Sequence, residues 1–450
     1  MPRHDWSETL DALRAGSAPA LASVAANPLG LWLIRMVYVV PNADPGPLLH
    51  DFRDGGTLRR HLLDHLIDAL LAARPPVPGQ AHGGRHPGEV GPELVSEPFR
   101  PRRAWNAGQV RLWLSHLATL LTRNGTRDLA WWDVARYATT TGRRWLLCVV
   151  GGLVAGVMAG VAAGVLVAVT LNFPSEYSYA LIWTGIVFGL VVSAVIVFKA
   201  RGWFAEVPGS ADLRLMLALT FSRAYLTRRH LRQFAIFFLV MPILLGVVTL
   251  VAISLVVFFA EPRLVGVLGF LLLMTCAIVD GVIVFAVHVK WVEHPTPLTS
   301  ATTASSTWRA DRNLTVARIV AAGRMLALLA VIAVFAFGFI ARASFTHVWP
   351  VALQWGVFTA LIGGVACGII SGCHHGWLVC KATLVTEPSS RLPKKLIPFL
   401  EDMHRVGLLR AVGPIYQFRH GEVQDYLAEA TARDDLKSCT STTSGRGYGL

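Results

Sequence analysis

The stretch WLLCVVGGLVAGVMAGVAAGVLVAVTL, residues 145–171, contains no charged side chain. A helix rising 1.5 Å per residue needs about 20 apolar residues to cross the hydrocarbon core of a bilayer. This run is the first of six, at 145–171, 178–199, 234–259, 264–288, 325–343 and 348–371. They pair into three hairpins across short turns at 172–177, 260–263 and 344–347. The composition agrees with a membrane part joined to water-soluble parts. The 450 residues are 54% hydrophobic and 15% charged, against about 25% charged in an ordinary soluble domain. Mean hydropathy is +0.51. The expected fold class is mainly α: a polytopic membrane protein with six transmembrane helices in three hairpins. An N-terminal cytoplasmic helical region and a small C-terminal winged-helix-like unit flank them.

Lys and Arg place the hairpins. The first turn has none, the second has Arg263, and Arg342 flanks the third. The loop 200–233 carries Arg201, Arg214, Arg223, Arg228, Arg229 and Arg232, and the loop 289–318 carries Lys290, Arg309, Arg312 and Arg318. Cytoplasmic loops hold the positive charge, so both termini are expected in the cytoplasm of a multi-pass protein of the cell (plasma) membrane. The net charge of +13 then reflects topology, with the lipid bilayer as partner and no nucleic acid expected. The two inner loops also share a pattern. Ser210-x-x-Leu213-Arg214 with Arg223 matches Ser305-x-x-Trp308-Arg309 with Arg318, as an old duplication would leave it. Gly152, Gly156, Gly160 and Gly164 in the first run, and Gly364, Gly368 and Gly372 in the sixth, recur every four residues. Such stripes let helix backbones approach closely in lipid, and they suggest that helices one and six touch. Asp280 is the one acid inside an apolar run. It reads as a carboxylate paired near the interface with His288 or Arg324, or as the intramembrane polar group of a conduit.

The remaining segments divide the chain further. Residues 1–73 form a helical arm-like region, 74–104 a flexible Pro/Gly/His-rich loop, and 105–140 a helical region leading to the membrane. The six-helix domain takes 141–384, a winged-helix-like unit 385–432, and a disordered tail 433–450. Thr57 is placed to cap a helix with Leu58, Leu62, Leu63, Leu66, Ile67, Leu70 and Leu71 at helical spacing. A second helix runs from about Ala107 to Arg123, buries Val110, Trp113, Leu114, Leu117, Leu120 and Leu121, and ends at Gly125. Trp131 and Trp132 fit either the headgroup zone or ordinary core packing. Pro393 opens a helix expected to run through Leu409; a strand at 414–418 and a helix from about Gly421 follow. Residues 1–16 lack the apolar core of a signal peptide. The six cysteines contain no C-x-x-C pair and read as reduced thiols. Cys373-His374-His375 with Cys380 lacks four-ligand zinc spacing and reads as a helix end at the membrane surface, so no metal is expected.

The run IYQFRHGEVQDYLA at 415–428 resembles the end of the winged-helix domain of NACHT-type STAND NTPases, and ANPLGLWL at 26–33 resembles the Asn/Thr-Pro-Leu motif of their helical arm. Segments 61–71, 113–121 and 126–132 are similar to the membrane-spanning bacterial members, in which the spans interrupt the lid. The likeness covers roughly residues 1–135 and 385–430. It implies that Pro28 packs near adenine and that His420 contacts the bound diphosphate; the residues alone read as a helix-initiating proline and a capping or core histidine. No G-x-x-x-x-G-K-[ST] occurs, so nothing in this chain cradles phosphates and no cofactor is expected in it. ATP or ADP enters only with an NTPase core that precedes Met1, or that a partner supplies in trans. A homo-oligomer is a further possible assembly. The chain is thus expected to be no enzyme by itself, with no catalytic residue. The leading expectation is a membrane-anchored, NACHT/STAND-related regulatory or signalling protein without its own ATPase core. A transporter or channel subunit and a structural membrane scaffold are the alternatives.

Overall fold

A computed structural model describes residues 4–76, 99–171, 190, 193–211, 285, 289, 292–295, 302–340 and 344–444. The chain divides into two compact units. The first comprises Met1–Ala138, Thr299–Ser305 and Ala382–Leu450, the second Thr139–Leu298 and Ser306–Lys381.

In the first unit, small polar residues, prolines and glycines set the helix ends. Helix α1 (Ser7–Ala15) stops where Gly16 adopts φ +70°, a left-handed conformation that costs glycine least. Prolines open α2 (Pro19–Ala25) and α3 (Pro28–Ile34), at positions whose N–H needs no helical partner. The Asn27 side chain caps α3 by accepting from Leu29 N at 3.0 Å. A π-helical turn, Arg35–Val39, and the short α4 (Pro47–His50) lead to α5 (Gly55–Ala73). The cap of α5 is Asp54, not Thr57: Asp54 Oδ1 accepts from Thr57 N at 2.9 Å. Helix α6 (Ala107–Arg123) is capped by Asn106 and followed by Gly125 at φ +63°. Every apolar residue named for α6 is buried, as are those named for α5 except the half-buried Leu71. Trp131 and Trp132 are both buried and meet edge to face at 5.5 Å, so core packing, not a headgroup position, accounts for them. Helix α7 (Asp133–Ala138) closes this half.

The second unit begins with α8 (Thr141–Leu171), four residues ahead of the expected start. Helix α9 spans 193–203, and strand β1 (Gly209–Ala211) pairs antiparallel with β2 (Glu293–Pro295), Ser210 opposite His294. Helix α10 (Ala304–Ile340) starts well before 325, inside what was expected to be a loop. Helix α11 (Phe345–Ile370, with a π-helical stretch at Thr359–Gly363) starts inside the expected third turn. Among the described residues, two helices are long and apolar enough to cross a membrane, Ala304–Ala336 and Phe345–Ile370. Their exposed faces carry Leu328, Ile332, Phe339, Leu353, Val357 and Leu361, apolar surface of the sort that lipid covers. The pair Pro19–Ala25 and Pro28–Val39 has comparable composition but bends by 113°. It buries Leu21, Val24, Leu33 and Ile34, as a core element does. Of the other expected runs, 234–259 lies outside the described residues, as do most of 178–199 and 264–288, including Asp280 and His288.

The chain returns to the first unit along α12 (Gly376–Thr386). Helix α13 (Leu396–Val406) ends at Gly407, φ +95°, earlier than the expected Leu409, which instead opens strand β3 (Leu409–Val412). Strand β4 (Ile415–Phe418) pairs antiparallel with β3, and Tyr416 forms a bridge with Leu129. Helix α14 (Gly421–Ser444) continues through most of the segment expected to be a disordered tail. The expected loop 74–104 is described only at its edges. Asp402 holds the second edge, accepting from Arg102 N at 2.8 Å and Trp105 Nε1 at 2.9 Å.

The glycine stripes serve neighbours other than each other. A Cβ on Gly152 would lie 2.8 Å from Val197 Cγ2 of α9, and Ser193 Oγ donates to Gly152 O at 2.9 Å. Gly156 and Gly160 are buried; the packing of Gly164 lies outside the described side chains. A Cβ on Gly364 would lie 2.6 Å from Gly323 Cα, and one on Gly368 2.5 Å from Ile319 Cα. That seam therefore joins α11 to α10. Helices α8 and α11 do touch, as expected, though the resolved stripe contacts, at Gly152, Gly364 and Gly368, lie elsewhere. Gly372 belongs to no stripe: it sits beyond the helix end at φ +93°. The two loop motifs also differ in structure, for Ser210 lies in β1 and Ser305 in α10.

Candidate functional site

Two places gather functional side chains, one in each unit. In the second unit, α11 ends at Ile370, Gly372 reverses the chain, and α12 starts at Gly376. A helix end leaves carbonyls without partners and a helix start leaves amides without partners. Here buried charges meet both needs. The Cys373 amide donates to Glu293 Oε2 (3.1 Å), the His375 amide to Glu206 Oε2 (2.9 Å) and the Trp377 amide to Asp311 Oδ2 (2.6 Å). Asp311 Oδ1 accepts from Gly209 N at 2.9 Å, tying β1 to the same carboxylate. On the carbonyl side, Arg318 donates to Ser371 O at 2.7 Å and to His374 O at 2.5 Å. Acids at a helix start and cations at a helix end also suit the helix dipole.

Arg318 is fully buried, and its Nε lies 3.3 Å from Glu293 Oε1. Burial pushes the Glu293 carboxyl above its ordinary range, against the pull of Arg318 and of the Cys373 amide. His375 is fully buried with its ring stacked 4.2 Å from Trp203. Its Nδ1 lies 2.7 Å from Glu206 Oε2, and its Nε2 lies 2.9 Å from Ile369 O and 3.3 Å from Arg318 Nη1. His374 Nδ1 donates to Val207 O at 2.8 Å. The arrangement can hold four chain segments in one geometry.

Sequence reasoning missed this cluster. Cys373-His374-His375 does lie beyond a helix end, but His374, His375 and Cys380 are buried and, of the four, Cys373 is exposed. Among the described residues no group of three His, Cys, Asp or Glu is placed to hold a metal ion. A signal was present: Trp203-x-x-Glu206-x-Pro208 after the second apolar run and Trp291-x-Glu293-x-Pro295 after the fourth. Each brings a carboxylate to this turn.

In the first unit, His420 follows β4 and packs against Trp32 of α3, ring centroids 5.1 Å apart. Pro28 and Trp32 are four residues apart and share a helix face, so α3 carries Pro28 on the side turned to His420. Burial, assisted by Arg419, holds the His420 imidazole below its ordinary value, and Glu422 opposes this. Glu422 also meets Arg59 at 3.4 Å. An open groove of about 530 Å³, lined by Glu8, Asp11, Leu49 and His50 among others, takes neither Pro28 nor His420. No protein-family model matches the chain, and no curated protein or solved structure gives a match either.

Proposed function

We propose that this chain is a membrane-anchored regulatory or signalling protein of the NACHT/STAND-related kind, without its own ATPase core. One observation carries the reading: residues before and after the apolar segment build a single folded unit. Arg127 pairs with Asp425 at 3.1 Å, Trp113 Nε1 donates to Ser389 O at 2.7 Å, Tyr426 donates to Asp64, and Leu129 and Tyr416 exchange backbone hydrogen bonds. A helical unit interrupted by membrane helices is the organisation that the resemblance at 26–33 and 415–428 implies. In this reading the six spans anchor the chain in the plasma membrane with both termini cytoplasmic. The winged-helix-like unit 385–432 and the arm helix would present His420 and Pro28 to ADP or ATP held by a core from upstream or from a partner. Any change in this unit reaches the bilayer through the covalent crossings near 138, 298, 305 and 381.

The test is the native size and company of the protein. Host membranes are cross-linked and blotted with an antibody against 433–450. A band above the 48.9 kDa of this chain that contains an NTPase core, upstream or in trans, supports the reading, and His420→Ala should then weaken nucleotide retention. A 48.9 kDa species that cross-links to no nucleotide-binding protein would falsify it. The buried ionisable cluster around Arg318 favours a second reading, a transporter or channel subunit, because such groups in membrane domains commonly mark ion or proton routes. Proton or solute flux into proteoliposomes that Glu206→Gln abolishes would decide for it.

A further inference from the structure

Helices α8 and α9 run antiparallel in contact. Ser193 Oγ at the start of α9 donates to Gly152 O at 2.9 Å, and the Arg144 guanidinium stands 5.7 Å from the centre of the Phe204 ring, just past the end of α9. The start of α8 therefore lies beside the end of α9. Both helices leave an apolar face open. On α8 it holds Leu146, Val150, Val154, Val157 and Val161, which recur every three or four residues as one face does. On α9 it holds Ala194, Val195 and Phe198, the last 78% exposed. Each face ends in an arginine. Arg143 precedes Leu146 by three residues and Val150 by seven; Arg201 follows Phe198 by three and Ala194 by seven. Trp145 is exposed beside them, as indoles are at the headgroup level of a bilayer.

We propose that the paired ends of α8 and α9 bind an anionic phospholipid, with its phosphate at Arg143 and Arg201 and its acyl chains along the apolar faces. Charge complementarity selects this occupant. Four cations gather at this end, Arg143, Arg144, Lys199 and Arg201, and the first acid beyond α9, Glu206, is turned to His375. Two of the four are anchored by the protein: Arg144 Nε donates to Thr139 O at 3.1 Å and Lys199 Nζ to Ile370 O at 3.2 Å. They fix the positive end of the hairpin, while Arg143 and Arg201 stand on the lipid side of it. A guanidinium fork matches two phosphate oxygens. A zwitterionic lipid offers the same phosphate but brings an ammonium group among the cations, so a net negative lipid is preferred. The site rests on the reading of 145–171 and 178–199 as membrane spans. That reading puts this end on the cytoplasmic face, where the anionic lipids of a membrane attract basic side chains.

The experiment titrates the full-length chain, purified in mild detergent, with dioleoyl phosphatidylglycerol and with dioleoyl phosphatidylcholine, and counts bound lipid by native mass spectrometry. Phosphatidylglycerol should bind more tightly. Arg143→Gln and Arg201→Gln should each weaken it about fivefold and narrow its lead. Arg14→Gln, which removes an equal charge from the surface of the first unit, should leave it unchanged. Should either test variant fail to fold, Arg201→Lys carries the test, keeping the charge, losing the fork and showing a smaller drop. Equal binding of the two lipids, a preference that survives the test variants, or the same drop in Arg14→Gln overturns the site. Release of the chain from host membranes by alkaline carbonate would instead sink the span reading on which the site rests.

Discussion

The first unit and the turn at 371–377 hold their chain by opposite means. In the first unit, α6 packs along α14 and α5 against α2 through apolar faces. Ion pairs such as Arg127–Asp425 and Arg111–Asp68 stay on the surface, where such pairs contribute little. At the turn, Arg318, Glu293, Asp311 and His375 are all buried. Their charges take the place of water for the buried backbone groups of a helix end. Apolar packing tolerates adjustment, because a displaced methyl group loses only part of its contacts. A buried charge network has no such tolerance, since each member leaves a charged partner exposed to a low dielectric when it goes. The turn is therefore the more brittle of the two regions.

The largest effect that would separate the two is expected from Arg318→Met. It leaves Glu293 buried without its cation and two carbonyls without a donor, so about 3–5 kcal/mol should be lost, read as a drop in the thermal midpoint of the nanodisc-embedded chain. A loss below about 1 kcal/mol would show that the network is replaceable and erase the contrast. Leu114→Ala, at a fully buried position of α6, should cost about 2–4 kcal/mol. Hydrogen exchange should place that loss in the first unit, with protection across 371–377 unchanged. A third test uses acid. Burial lowers the folded-state values of His61, His116 and His420, all in the first unit, below the ordinary 6.5. Their stabilising contribution is full above about pH 6.5 and is lost as pH falls from there through the depressed folded values. The first unit should thus weaken on acidification, and His116→Gln should blunt the effect in urea titrations at pH 7.5 and 5. The smallest effect is expected from Asn106→Ala, which removes the acceptor for Gln109 N at the start of α6 and should cost about 1 kcal/mol.

The part of the fold legible in the sequence was the part written in local periodicity. The apolar residues of α5 and α6 repeat at helical spacing and are buried as that spacing requires. The strand at 414–418 and the helix from Gly421 follow from Pro, Gly and a short alternating run. The boundary of α10 was not legible, because residues 304–324 mix polar and apolar side chains as a loop would, and burial of Thr307, Asp311 and Arg318 supplies the reason that they are helical. The cluster at the turn was hidden for a related reason. Its members come from 206, 293, 311–318 and 371–377, and no local pattern links them. Gly372 continued a four-residue glycine spacing and so read as helix packing, whereas its positive φ and its closeness to Arg318 and Glu293 make it the pivot of the turn. At His420 the sequence showed the residue but not its neighbour Trp32, which only folding brings within 5.1 Å.

The split of the first unit around the membrane helices has a consequence for biosynthesis. Helix α6 leaves the ribosome long before α14, against which it packs. At about 5–20 residues per second, translating the chain between Ala138 and Ala382 takes on the order of 10–50 s. Throughout that time Val110, Leu114, Leu117 and Leu121 lack the cover that α14 gives them. The nascent protein therefore presents an adhesive helix to solvent while the intervening chain is being made, and a chaperone or the early half's own provisional packing must shield it until the last helix is made.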